Sequence, residues 1–526
     1  MGRWIRSVGR ILAAVAPYSR GWRVLAAVAV VLGLAVYLVL LVHFVDACAG
    51  GADSSGYLIE ARQLSAGRIS FPPRVVPGLD TTGLSAYYCI PLGAKPSPVH
   101  KGELVPTYPA GLPLLIAAAH LFLGWGRAFD LVILVHAILG LVLLVALGRA
   151  LGFGPFWCLA GVVLLATGPL YLQFSLQGMS DLPALAWSSA TALAAWRARK
   201  SVGWSAVAGM AFSLSVLIRP NDALMLAPLL VAWWPFGPAR PSVGFVRRVL
   251  LFVAGGLPGG IFWLLFNRWA YGGALTTGYG DATGSFLAQL VPTTLKFYAH
   301  WLPVVFTPLV LLCLGLPWAA GRSRAAAFLA VWAGAYLAFF TFDRYIHESW
   351  MLLRYILPAA PALVLGSLAV ARRSLEMPPF QRRHWPRAVA VLALTASLAG
   401  QLEWDGKLKV LYAGRGEGTY AQAMAWLNSH IPEDSILVTM QTSGAAFFYT
   451  AFPLIRWDQL DTGSFRRLAE AAASQRRALY APLFDFERQR AMGANLPGEW
   501  RPAGQVRQIT IWRYEDPEPS RPHARP

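Results

Sequence analysis

The sequence predicts a polytopic α-helical membrane protein of about 11 transmembrane helices plus one interfacial helix, followed by a small C-terminal extracytoplasmic α/β domain. Three observations carry this reading. Of 526 residues, 56% are hydrophobic and only 13% are charged, whereas a soluble chain carries roughly 25% charged residues. The apolar residues fall into long runs, and roughly 20 such residues cross a bilayer. The basic residues gather in alternate loops between those runs, a distribution that the positive-inside rule assigns to the cytoplasmic face. In a soluble chain a net charge of +19 would suggest nucleic acid. Spread over short loops, it reads as membrane topology instead.

The first apolar run, Trp22 to Val45, has Arg3, Arg6, Arg10, Arg20 and Arg23 before it or at its front. It is longer than a signal-peptide core and no small-residue cleavage site follows, so it reads as an anchor. Its far end is extracytoplasmic, and so is the first outer loop, 46–128. Within that loop Pro109 to Leu123 is too short to cross and reads as an interfacial or re-entrant helix. Counting it as a span would invert every later segment and place the arginine clusters outside.

Phe129 to Leu147 then runs inward to Arg149, and Phe156 to Phe174 returns. Leu182 to Trp196 goes in, to Arg197, Arg199 and Lys200. Trp204 to Ile218 comes out, and Ala223 to Trp234 goes in, to Arg240, Arg247 and Arg248. Val249 to Phe266 comes out, and Asn267 to His300 reads as a polar, glycine-rich outer segment. Trp301 to Trp318 goes in, to Arg322 and Arg324. Ala325 to Phe342 returns, Tyr355 to Val370 goes in to Arg372, Arg373, Arg382, Arg383 and Arg387, and Ala388 to Leu402 makes the last crossing outward. The N-terminus is then cytoplasmic and the tail is outside.

The tail changes composition. Gly418 to His430 and Ser464 to Ala473 read as helices; Ser435 to Met440, Ala478 to Phe484 and Gln508 to Arg513 read as strands. This alternation predicts an α/β domain over 403–516 after a membrane core over 1–402. Residues 517–526 (PEPSRPHARP) read as disordered. Cys158 and Cys313 lie inside apolar runs. Cys48 and Cys89 both fall outside, where a disulfide persists, although spacing alone does not show that they meet.

With topology assigned, the outer charges are few and concentrated. Asp53 opens the first loop, Asp181 lies in QGMSDLP, and Arg219 and Asp222 lie in IRPNDA. Arg344, His347, Glu348 and Arg354 lie in FDRYIHESWMLLRYILP. Ionisable groups at bilayer depth are costly unless paired or facing a wet cavity, so they are candidates for a site. For Asp222, Glu348 and Arg344 the competing reading is a solvated loop charge. His43 and His136 read as packed core residues, and His347 has no second His or Cys at ligand spacing. No glycine-rich phosphate cradle occurs, which leaves nucleotide binding unsupported.

At these residues the chain resembles the lipid-sugar-dependent GT-C glycosyltransferases, the superfamily of protein mannosyltransferases and of the aminoarabinose transferase that modifies lipid A. The pieces that carry the resemblance are ADSSGYLIEARQLSAGRIS, TYPAGLPLL, QFSLQGMSDLPALAW, LSVLIRPNDALML and WMLLRYILPAAPALVL, in the family's order. The resemblance implies a GT-C-like core that uses a polyprenyl-phosphate sugar as donor. The implied acceptor is an envelope lipid, glycan or protein, and the implied reaction is an inverting hexosyl or pentosyl transfer in a bacterial inner membrane.

By the same resemblance Asp53 matches the catalytic base and Asp181 the second acidic position. Arg219 and Arg354 match positions near the donor phosphate, with Arg344, His347 and Glu348 as further substrate-binding candidates. Two departures stand out. Ser54 replaces the acid that often follows the first aspartate, so no metal-holding pair forms there and Asp53 reads as a base working alone. Thr107-Tyr108-Pro109 replaces a Lys-Pro-Pro turn, which removes a lysine contact to phosphate. No cofactor is required, and a divalent metal has no supporting motif. The competing readings are a lipid or solute transporter, or a noncatalytic envelope-assembly protein. A transporter would call for midplane charges and repeated halves, neither of which the sequence displays.

Overall fold

The computed structural model describes residues 20–76, 86–234, 243–281, 283–320, 323–376 and 385–515. Arg3, Arg6, Arg10, Arg240, Arg322, Arg382 and Arg383, and the 517–526 segment read as disordered, lie outside the described residues. The chain is mostly helical, with a sheet near its C-terminus. It divides into two compact units. One gathers the residues up to Val45, Leu131–Phe262 and Asp281–Ala413; the other gathers Asp46–Asp130, Trp263–Gly280 and the residues from Gly414 onward.

Most predicted spans appear as helices, and their local chemistry explains their ends. Trp204–Ile218 has the predicted bounds, because Pro220 drives the residue before it out of the helical region and Arg219 is extended at φ −141° and ψ 110°. Four stretches among the described residues are long and apolar enough to cross a membrane: Trp125–Ala150, Val243–Tyr271, Arg324–Thr341 and Trp350–Leu375. Val30–Phe44, Gly111–Leu123, Pro155–Ala166, Trp204–Ile218 and Pro308–Ala320 are shorter apolar helices. Few side chains along Val243–Tyr271 are buried, as expected of a helix whose solvent is lipid.

Three segments depart from the sequence reading. Trp301 to Trp318 is not one helix: Val291–Val305 ends within it, the chain is extended at Thr307, and Pro308–Gly315 and Leu316–Ala320 follow. Phe156 to Phe174 is not one helix but Pro155–Ala166 and Pro169–Phe174, separated at Gly168. Pro169 has no N–H to continue the ladder. The Gly168 N–H turns to the Leu165 carbonyl, and the freed carbonyl of Leu164 accepts from Gln401 Nε2 at 2.8 Å, while Gln401 Oε1 accepts from Thr167 Oγ1 at 2.9 Å. A buried amide from Trp385–Lys407 thus satisfies the backbone at the break. The segment expected to be an outer loop, Asn267 to His300, is partly helical. Val243–Tyr271 extends into it, and Val291–Val305 begins inside it with Pro292 in its first turn, where a missing N–H costs nothing.

In the second unit, helix Ala52–Ser65 and the antiparallel pair β1 (Ala94–Pro96) and β2 (Leu104–Pro106) form the first loop's framework. The tail adds β3 (Ile436–Val438), β4 (Leu454–Ile455), β5 (Leu479–Phe484), β6 (Glu499–Val506) and β7 (Ile509–Glu515) in the order β4-β3-β5-β7-β6. β3 is parallel to both β4 and β5, and parallel neighbours require crossovers. Helices Ser443–Tyr449 and Thr462–Ser474 lie in those two connections. Asp461 caps the latter by accepting from Ser464 N at 2.6 Å. β4 escapes sequence reading because it is two residues long, and β6 because it is largely exposed and irregular between Pro502 and Gly504.

First-loop and tail residues are bonded together inside this unit. Arg62 Nη1 donates to the carbonyl of Phe448 at 2.8 Å, and Arg74 donates to the carbonyls of Phe447 and Thr450. Leu92 N donates to Ser443 Oγ, and Arg456 N donates to the carbonyl of Tyr88. Cys48 and Cys89 are both free, buried thiols.

Candidate functional site

Asp53 stands in the first turn of helix Ala52–Ser65, whose N-cap is Gly51 in an extended conformation. An acid there is favoured by the unpaired N–H groups and the helix dipole. Ser54 and Ser55 secure the turn: Gly50 N donates to Ser54 Oγ at 3.1 Å, and Ser55 Oγ donates to the carbonyl of Gly50 at 2.9 Å. Tyr108, from the TYP turn, hydrogen-bonds Asp53. Burial pushes the Tyr108 hydroxyl's pKa upward, and the Asp53 carboxylate pushes it further. The phenol therefore stays a donor.

The Tyr108 ring reaches Asp53 only because Gly56 has no side chain. A Cβ at Gly56 would stand 2.4 Å from Tyr108 Cδ2, and a Cβ on Gly93, at φ +89°, would stand equally close to Gly56 Cα. Tyr57 and Tyr279 flank Tyr108, with ring centroids 5.0 and 6.1 Å away. The turn that appeared only to have lost a lysine thus supplies a tyrosine to the aspartate. Sequence reasoning missed this role.

It also missed Glu417. The Ser54 hydroxyl donates to Glu417 Oε2 at 3.1 Å, so an acid from the tail meets the residue that follows Asp53. A second carboxylate, carried by the tail, therefore lies near Asp53. Burial lifts the Glu417 carboxyl to about 7; the charges of Asp53 and Asp46 raise it, while bonds from Ser54 and the Gly51 backbone lower it. Its only sequence signal was an acid immediately before the predicted tail helix Gly418 to His430, with no local pattern to distinguish it.

In the other unit, Asp181, Arg219 and Arg354 come together. Asp181 begins helix Asp181–Arg197 and its side chain is 1% exposed. Arg219 Nη1 donates to Asp181 Oδ1 at 2.7 Å and to the Arg354 carbonyl at 3.3 Å. Arg354 Nη1 lies 3.9 Å from Asp181 Oδ2 and 3.2 Å from Met179 Sδ. Both guanidiniums lie over the Tyr355 ring, at 5.4 and 5.5 Å, a cation–π arrangement. Pro220 places Arg219 at the end of its helix, and the short helical turn Trp350–Ala359 carries Arg354. Two cations on one acid leave a net positive group suited to a phosphate.

Asp222 is adjacent to this cluster and buried. Its Oδ1 accepts from the Tyr336 hydroxyl at 2.7 Å and its Oδ2 from Ser215. Burial lifts its carboxyl to about 7, against the lowering effect of those hydrogen bonds and Arg219. It is not the solvated loop charge that the sequence allowed.

Arg344, His347 and Glu348 are placed in a turn organised by Asp343, whose Oδ1 accepts from the backbone N–H groups of Tyr345 and Ile346 at 2.8 and 3.0 Å. Arg344 and Glu348 are exposed and His347 is half-buried. Among the described residues none of these three forms an ion pair with Asp181. His136 is buried with Nδ1 at 2.7 Å from the Val132 carbonyl, and His43 packs edge-on to Phe44. Among the described residues no group of three or more His, Cys, Asp or Glu side chains is placed to hold a metal ion.

No family model and no curated protein sequence matches the chain. Solved structures do. The chain is similar to ArnT, an aminoarabinose transferase, from Cupriavidus metallidurans bound to undecaprenyl phosphate: TM-score 0.58 and 16% identity, over 93% of this chain and 98% of that one. The apo form of the same protein gives a TM-score of 0.56 over the same shares. The arabinofuranosyltransferase AftD from Mycobacteria gives 0.52 at 13% identity, over 95% of this chain but 40% of that larger one. The chain therefore shares the fold of GT-C glycosyltransferases.

Proposed function

We propose that the chain is a membrane glycosyltransferase that moves a sugar from a polyprenyl-phosphate donor to an envelope acceptor (lipid, glycan or protein) on the extracytoplasmic face. The observation that carries the reading is the pairing of two partly exposed guanidiniums with one buried carboxylate, Asp181, on a fold similar to that of a protein solved with undecaprenyl phosphate. The apolar helices suit a donor that arrives from within the bilayer. We place about eleven crossings in a bacterial inner membrane, the N-terminus in the cytoplasm, and the tail over 403–516 outside together with the first loop.

In this reading Asp53 is the general base. The acceptor oxygen forms its bond to the anomeric carbon as the bond from that carbon to the phosphate oxygen breaks. The hydroxyl proton passes to Asp53, and the polyprenyl phosphate leaves with the electron pair. Direct displacement inverts the anomeric centre, for a hexosyl or a pentosyl group alike. A positioned base contributes about 10²–10⁴-fold. Tyr108 holds the carboxylate in place. Arg219 and Arg354 stabilise the charge that grows on the leaving phosphate, where fixed donors are most effective. Arg344, His347 and Glu348 remain candidates for contacts to the substrate's outer parts.

Envelope glycans of cells with and without the protein, compared by mass spectrometry, identify the transferred sugar. Asp53→Asn should then remain in the membrane and transfer nothing. Undiminished transfer by that variant would remove the base assignment.

A further inference from the structure

Glu417 lies on helix Ala413–His430, more than three hundred residues after Asp53. The helix that carries Asp53 has no side-chain cap of its own at Gly51, and the N–H groups of a first helical turn need acceptors. Glu417 fills that role from the tail. It accepts from the Ser54 hydroxyl at 3.1 Å and from the Gly51 backbone. Its approach depends on Gly50, where a Cβ would stand 1.9 Å from Glu417 Oε2. Alanine at position 50 would force the Glu417 carboxylate to shift. The contact is therefore specified from both sides, by a glycine and a hydroxyl on the loop and by an acid on the helix.

We propose that Glu417 is a positioning residue for Asp53: it caps the helix that carries Asp53 and serves as the second acid of that place, so that the charge on either carboxyl governs the charge on the other. The inference rests on the reading of Asp53 as the base. It assigns to the tail the acid that Ser54 appeared to have removed from the loop.

The groups that face Glu417 determine the sign of its response. Asp53, Asp46 and Ser54 face it from the first loop, and Asp46 is itself near Arg507. Cys48 and Tyr420 are close enough to feel its charge. While Glu417 keeps its proton it adds no negative charge beside Asp53. Once Glu417 ionises as well, two like charges share the turn and each disfavours the other.

The test is an infrared difference titration of the full chain in lipid nanodiscs with isotope-labelled glutamate. The expected wild-type signal is a glutamic-acid C=O band lost with a midpoint near 7. Glu417→Gln removes that band. Asp53→Asn, by removing the neighbouring charge, moves the midpoint down by about one unit, roughly tenfold in the acid constant. Ser54→Ala moves it up, since the stabilising hydrogen bond is lost. A midpoint unmoved by Asp53→Asn, or a glutamic-acid band still titrating near 7 in Glu417→Gln, overturns the coupling.

Glycan mass spectrometry on cells expressing each variant adds the functional arm. Glu417→Ala is expected to lower transfer at least tenfold, and Glu417→Gln, which retains an acceptor for Ser54, to restore most of it. Full transfer by Glu417→Ala overturns the positioning role. Should Asp53→Asn keep transferring while still moving the Glu417 midpoint, the base assignment falls and the coupling stands.

Discussion

Replacing Asp181 with asparagine preserves the side chain's shape and removes its charge. Arg219 Nη1 lies 2.7 Å from one carboxylate oxygen, and Arg354 Nη1 lies 3.9 Å from the other. Removing one partner of a fully buried pair costs about 3–5 kcal/mol, because the other charge is left uncompensated. Here the acid is 1% exposed while the arginines are 16% and 15% exposed. Water at their edges puts the expected loss near the bottom of the range, about 3 kcal/mol. Arg219→Met alone leaves Arg354 to balance Asp181, so its cost is expected to be about 1.5 kcal/mol.

The double variant restores a single uncompensated cation, and its total loss should fall short of the sum by about 1.5 kcal/mol. Reversible unfolding of the full chain in mixed micelles of graded denaturing detergent measures all three. Losses that add to within about 0.5 kcal/mol, the behaviour of independent sites, would refute the shared ion cluster. So would an Asp181→Asn cost indistinguishable from zero.

Three other outcomes follow from the geometry. Tyr108→Phe removes a hydrogen bond to a carboxylate, worth about 1.5–3 kcal/mol, so the transfer rate should fall at least about tenfold; an unchanged rate would dismiss the contact. Asp222 has its carboxyl lifted from 3.8 to about 7, so the folded chain keeps a proton that the unfolded chain has released. Its stabilisation is full below about pH 4 and is lost as pH rises through about 7. Unfolding measured across that window should show a shallower decline in Asp222→Asn, and an identical slope would contradict the assignment. A topology reporter fused after Leu402 should report an extracytoplasmic position, and a cytoplasmic signal would remove the proposed orientation.

What the sequence displayed depended on how local each signal was. Trp204–Ile218 was readable to the residue because Pro220 ends it by a nearest-neighbour clash. Asp181 and Arg219 were readable as candidates because each is an ion beside an apolar run and a proline. Their meeting at 2.7 Å is tertiary. The break at Gly168–Pro169 was present in the letters but masked by continuous hydropathy, and its remedy, Gln401, lies more than two hundred residues away. Glu417 and Tyr108 had no local pattern at all. One is an acid in an amphipathic helix and the other a tyrosine in a turn, and only folding brings either to Asp53. Arg344, His347 and Glu348 attracted attention by charge, whereas Asp343 organises their turn.

The bonds from Arg62 and Arg74 to the carbonyls of Phe447, Phe448 and Thr450, and from Ser54 to Glu417, make the first loop and the tail a single inheritance unit. A chimera that exchanges the tail for that of another transferase discards the loop's fastenings, however well the donor tail folds. Exchanging 46–130 and the tail as one cassette would preserve them. Specificity grafting in this architecture should therefore treat two distant stretches of gene as one exon-like block, to be moved together or left in place.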